Sequence, residues 1–164
     1  LLNYQGKVVG ITTAIVSNSQ GIGFAIPSST ILRETQSLVT NGSYNQHPWL
    51  GAAGTDMTFA IAQAMNTNVT YGWLITQTTP GGPADKAGLQ SGTQQVLTAG
   101  QWITIGGDII TAVNGTKITN IDDLSTYLEE HTQPGQTITA TIVRNNQTMN
   151  TQIKLEPRPS PTSS

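Results

Sequence analysis

Side chains able to move protons, bind metals or attack carbonyls are scarce in this 164-residue sequence, which contains two histidines and no cysteine. The absence of cysteine removes disulfides, thiolate nucleophiles and Cys-ligated zinc from consideration. His47 and His131 fall in neither a metal-ligand spacing nor a recognisable catalytic triad. Asp122 and Asp123 lie in the first turn of a predicted helix, where negative charge is favoured by the helix dipole. These residues therefore give no catalytic group, no metal site and no cofactor. The remaining candidate is Trp49-Leu50-Gly51-Ala52, which taken alone is a strand entry with a bend at glycine.

Composition narrows the partners. Hydrophobic residues make up 36% and charged residues 10%, with a net charge of −2, so neutral polar side chains carry the surface. Scattered Lys and Arg form no basic stripe able to neutralise several phosphates, which excludes nucleic acid and an anionic membrane surface as partners. No apolar run approaches the ~20 residues of a bilayer span. Asn41, Asn68, Asn114 and Asn146 each begin an Asn-X-Ser/Thr triplet, a pattern that permits glycosylation and extracellular life. Leu1-Leu2-Asn3-Tyr4-Gln5-Gly6-Lys7 reads as a strand end running into a turn, so an upstream part is expected.

The elements follow from periodicity and turn residues. Val8 to Val16 is a β-branched strand that returns through Ile22 to Ile26. A helix follows, with a hydroxyl cap expected from Ser28 or Ser29; it carries Ile31, Leu32, Leu38 and Val39, and stops at Asn41-Gly42. Residues 43 to 47 are linker. Beyond Pro48 come a strand from Trp49 to Thr55, a helical turn from Phe59 to Met65 and a strand from Gly72 to Thr78. Pro83 opens a short helix closed by Gly88. Gln95–Thr98 and Gln101–Ile105 form a hairpin turned at Ala99-Gly100. A strand from Ile109 to Val113 turns back at Asn114-Gly115, the strongest hairpin signal in the chain. Ile121 to His131 is an amphipathic helix capped by Thr119 or Asn120. Two alternating strands, Thr137–Arg144 and Met149–Leu155, flank Asn145-Asn146, and a Pro-rich tail from 158 to 164 is expected to be disordered.

Four phrases in order, Pro48-Trp49-Leu50-Gly51-Ala52, Pro83-Ala84-Asp85-Lys86-Ala87-Gly88-Leu89, Gly107-Asp108-Ile109-Ile110-Thr111-Ala112-Val113-Asn114-Gly115 and Asp123-Leu124, resemble the PDZ domains of HtrA/DegP-type serine proteases. Leu1 to Ile11 and Gly21 to Ser28 resemble the segment after the nucleophile in that family's trypsin-like domain. The resemblance implies an α+β, mostly β chain: a PDZ-like partly open barrel capped by two helices over 47–157, with an inserted hairpin at 90–106. It implies a linker helix at 29–46, preceded at 1–28 by a β-hairpin remnant of a trypsin-like barrel in which Thr12 to Gln20 would line a P1 pocket. The family's serine, histidine and aspartate would all lie upstream of residue 1, so this chain by itself is expected to be inactive.

For a PDZ module the expected chemistry belongs to the main chain. The end of a peptide adds to a sheet edge while the amides of Leu50, Gly51 and Ala52 converge on its carboxylate as a nest. The peptide would lie along Trp49, Ala53, Gly54 and Thr55, facing Ile121, Leu124 and Leu128 across the groove. The two leucines serve equally well as plain core residues. Small Ala52 leaves room for a bulky apolar terminal residue. Expected partners are unfolded or C-terminal polypeptide segments, the missing protease domain and further copies in a homo-oligomer. The expected setting is extracytoplasmic protein quality control, with a membrane anchor in a missing N-terminal segment. A stand-alone PDZ adaptor is the alternative reading. A PDZ beside an intramembrane metalloprotease is a third, which no His-Glu-X-X-His pair supports.

Overall fold

Turn chemistry organises the chain, and the computed structural model describes residues 1–15, 23–98 and 100–159. Two units emerge, Leu1–Asn45 and Gln46–Ser164.

In the first unit, β1 (Gly10–Ile15) pairs antiparallel with β2 (Gly23–Pro27). The strand starts two residues later than the predicted Val8, and Val16, its predicted end, lies outside the described residues. Gly6, with φ +76, closes a turn through its amide to the Asn3 carbonyl (3.0 Å), and Val8 meets Leu2 in an isolated bridge instead. The loop expected at Thr12 to Gln20 lies, from residue 16 on, outside the described residues. Helix α1 (Ser28–Asn41) stops at Gly42, which adopts φ +69 and donates to the Leu38 carbonyl at 3.0 Å. Its expected hydroxyl cap is absent because Pro27 holds the capping position and Ser28 is already helical. No residue of α1 is buried.

In the second unit, Gly51 divides the predicted Trp49–Thr55 strand in two. With φ +72 it breaks the extended path, giving β3 (Pro48–Trp49) and β4 (Ala52–Asp56). Helix α2 (Phe59–Ala64), strand β5 (Trp73–Thr78) and helix α3 (Pro83–Lys86) follow. The hairpin β6 (Gln94–Thr98) and β7 (Gln101–Ile105) precedes β8 (Ile109–Val113) and β9 (Thr116–Lys117). Helix α4 (Ile121–His131) leads to β10 (Thr137–Arg144), β11 (Gln147–Lys154) and β12 (Glu156–Pro157). Residues 160–164 of the expected disordered tail lie outside the described residues.

The main sheet has the order β11-β10-β8-β5-β4, with β9 on β8, and it stays open between β4 and β11. Asn114-Gly115 and Asn145-Asn146 all take positive φ and turn their hairpins as the sequence implies. Successive strand residues serve opposite faces. Trp73, Ile75, Ile110 and Ile142 join Leu124 and Leu128 of α4 in one core cluster. Leu74, Ile109 and Val143 join Ile61 of α2 in the other, against which Val96 and Ile103 of the inserted hairpin also pack. The sheet is thus covered on both sides, and β4 is an edge strand.

Candidate functional site

The bend at Leu50-Gly51-Ala52 is held by its carbonyls. Leu50 O accepts from Ala84 N at 2.9 Å and Gly51 O accepts from Thr79 N at 2.8 Å. In a trans peptide the N–H points opposite the C=O it is conjugated with. Tying these two carbonyls down therefore turns the amides of Gly51 and Ala52 the other way, and no acceptor meets the amides of Leu50 and Gly51 among the described residues. Gly51 is required here: besides its positive φ, a Cβ would approach Pro83 Cδ to 2.9 Å.

The outward direction continues along β4. Ala52 pairs with Thr78, whose own amide turns away to Ser91 Oγ at 3.0 Å. Gly54 pairs with Ile75, whose amide turns away to Asp108 O at 2.9 Å. By the alternation of antiparallel ladders, Ala52 and Gly54 present their backbone polar groups to the open edge. Gly54 also lets β4 pass over Trp73, since a Cβ there would fall 2.2 Å from Leu74 O and 2.7 Å from the indole.

Helix α4 is fixed beside this edge at both ends. At its start, Asn120 Oδ1 accepts from Asp123 N (2.9 Å) and Asp123 Oδ2 accepts from Thr119 N (2.9 Å), a reciprocal cap. The Thr119 hydroxyl and amide hold the Asp123 carboxyl below the ordinary aspartate range. Asp56 Oδ1, at the end of β4, accepts from Ile121 N at 2.7 Å. Near the helix end, Glu129 meets His47 Nδ1 at 3.1 Å, just before β3.

Between strand and helix lies a cavity of ≈ 130 Å³, lined by Trp49, Leu50, Gly51 and Ala52 on one side and by Ile121, Leu124 and Leu128 on the other. Leu124 and Leu128 are core and lining residues at once. Ala53, Gly54 and Thr55 lie further along the edge strand and do not line the cavity. Trp73, Ser125, Glu129 and Arg158 also line it and were not read from the sequence. Trp73 comes from the register of β5, and Arg158 from the pairing of β12 with β3. The helical spacing of Leu124, Leu128 and the intervening Ser125 was the one available signal for any of these.

A buried ion pair supports the site from behind. Asp108 is fully buried and accepts from Arg144 Nε and Nη2, both at 2.7 Å, and from Gln90 N at 2.8 Å. Arg144 Nη2 also donates to Gly88 O at 2.8 Å. The loop after α3 is thereby held, and with it the helix whose Ala84 amide anchors Leu50. The Asp108 carboxylate raises the Arg144 pKa further above its ordinary value. Among the described residues no group of three His, Asp or Glu side chains could hold a metal, and no helix is long and apolar enough to cross a membrane.

Comparison with known proteins agrees with this geometry. The PDZ domain family model matches residues 56–155. The chain is 36% identical to Protease Do-like 1, chloroplastic, of Arabidopsis thaliana, over 97% of its length and 34% of the relative's. It is 32% identical to the periplasmic pH-dependent serine endoprotease DegQ of Escherichia coli (strain K12), over 95% of its length and 31% of the relative's. The solved structure of the HtrA-type protease AlgW with decapeptide superposes with a TM-score of 0.71 at 29% identity, covering 95% of this chain and 44% of that one. The chain spans about a third of the length of these curated relatives.

Proposed function

This chain belongs to the PDZ domain family and is homologous to the HtrA/DegP serine proteases, and on that premise we propose that its second unit captures carboxy-terminal ends of polypeptides for a serine endopeptidase. The observation that carries this reading is the pair of outward amides at Gly51 and Ala52, opening into an apolar cavity beside an edge strand. A peptide adding to β4 would gain backbone hydrogen bonds from Ala52 and Gly54. Its terminal carboxylate would meet the amides of Leu50, Gly51 and Ala52, and its last side chain would enter the apolar cavity. The decapeptide in the AlgW structure is in keeping with such a role.

The first unit is, in this reading, the last part of a trypsin-like domain: residues 1–28 its closing strands and 29–46 a linker helix. Similarity to protease relatives over 95% of the chain or more, beyond the PDZ module alone, supports a protease partner over a stand-alone adaptor. The relatives are named as chloroplastic or periplasmic. Extracytoplasmic quality control, with unfolded segments as substrates and assembly into oligomers, belongs to the same proposal.

The test is a titration of the chain with labelled peptides of one sequence, ending in Phe, Leu, Val or Ala, each as free acid and carboxamide. The free acid is expected to bind at least about tenfold more tightly, since a charge-assisted contact contributes roughly 1.5–3 kcal/mol. Phe and Leu ends should exceed Ala. Equal affinity of acid and amide would end the carboxylate reading, and equal affinity for all four ends would remove the pocket from selection.

A further inference from the structure

Beyond the main-chain amides, one residue of the cavity lining, Arg158, has the chemistry to recognise an anion. Arg158 N donates to His47 O at 3.0 Å, extending the pairing of β12 with β3 by one residue. Its backbone is thus fixed beside the strand that enters the Leu50-Gly51 bend, and the residue lines the same ≈ 130 Å³ cavity. Three other cations of the second unit are engaged elsewhere. Lys86 pairs with Glu156 at 2.5 Å, Arg144 with Asp108 at 2.7 Å, and Lys117 lies 4.2 Å from the centre of the Tyr71 ring. No such contact occupies the Arg158 guanidinium among the described residues.

A second observation makes a cation there significant. Glu129 lines the cavity as well, held toward the strand by His47. The lining therefore already contains one carboxylate, and a cationic residue in the same lining favours entry of a second, the chain end. Arginine suits the task because its planar fork offers paired N–H donors that match the two oxygens of a carboxylate.

We propose that Arg158 recognises the terminal carboxylate of the bound polypeptide, completing with a side-chain cation the pocket that Leu50, Gly51 and Ala52 build from main-chain amides. This rests on the peptide-capture reading above. Arg158 is exposed, so its contribution is that of a solvent-accessible pair, about fivefold in affinity, and it weakens as salt rises.

The experiment uses the whole 164-residue chain and one Leu-ended peptide as free acid and as carboxamide, with fluorescence polarisation for wild type, Arg158→Gln and Arg158→Lys at low and raised salt. Arg158→Gln is expected to lower free-acid affinity about fivefold and leave carboxamide affinity unchanged, with Arg158→Lys intermediate. Raised salt should narrow the wild-type gap toward that of Arg158→Gln. An unchanged acid-to-amide ratio in Arg158→Gln, or equal losses for both peptides, overturns the assignment while peptide capture stands. A wild type that does not distinguish acid from amide overturns both.

Discussion

Strands β1 and β5 are each six residues long, and both carry β-branched side chains, yet they have opposite fates. On β5, Trp73, Leu74 and Ile75 are at most 4% exposed, because α4 covers one face of the sheet and α2 the other. Around β1, Val8, Ile11 and Ile26 remain 59%, 52% and 42% exposed. Hydrophobic patterning forms a strand, but a core needs a second layer, and no buried cluster includes any of the described residues of 1–45. Two apolar strands with open edges invite another chain or segment to cover them. Among the described residues the first unit thus leaves its apolar side chains uncovered, whereas the second buries its own.

The largest expected effect comes from removing the buried ion pair of the second unit. Replacing Asp108 with Ala strands Arg144 and releases Gln90 N, in a unit where Asp108 is fully buried. Loss of one partner of a buried pair costs about 3–5 kcal/mol. All three tryptophans, Trp49, Trp73 and Trp102, lie in the second unit, so their fluorescence follows its unfolding without interference from the first. A loss under 1 kcal/mol in denaturant would mean that the pair is dispensable and that the apolar clusters alone hold the unit.

A smaller effect concerns the cap of α4. The Asp123 carboxyl has its pKa lowered in the fold by Thr119, from an ordinary value of 3.8. A depressed carboxyl contributes stability that is fully present above the unfolded value and is lost as pH falls through the folded one. Wild type should therefore exceed Asp123→Asn in stability at neutral pH, and the difference should shrink as pH drops below about 4. A difference that is constant with pH would show that the carboxylate charge contributes nothing to the cap.

Much of the second unit was legible because its instructions are local. Asn114-Gly115 needs only its own φ preferences, and α4 can be read from Asn120, Asp123 and the spacing of Leu124 and Leu128. Pairings between distant segments were not legible. Asp108 and Arg144 are 36 residues apart, and nothing near either one identifies the other. Arg158 reaches the cavity only because β12 pairs with β3 across more than a hundred residues. Trp73 lies under Gly54 through a register that a bulge shifts between Ala53 and Gly54. The main-chain bend was readable from Leu50-Gly51-Ala52, while the side chains facing it depended on tertiary pairing.

The smallest expected effect tests the comparison from the other side. Leu32 and Val39 of α1 are 77% and 79% exposed, more than an apolar helix face shows once it is packed. If the second unit is self-sufficient, replacing both with Ser should leave its tryptophan-monitored unfolding within about 0.5 kcal/mol, the range of ordinary surface changes. The same double variant should alter how residues 1–45 associate, because it removes apolar surface that another chain would cover. Sedimentation of wild type and variant would separate the two contributions. A shift of 1 kcal/mol or more in the second unit's unfolding would show that α1 contributes to its stability, and the two units would then have to be treated as one cooperative structure.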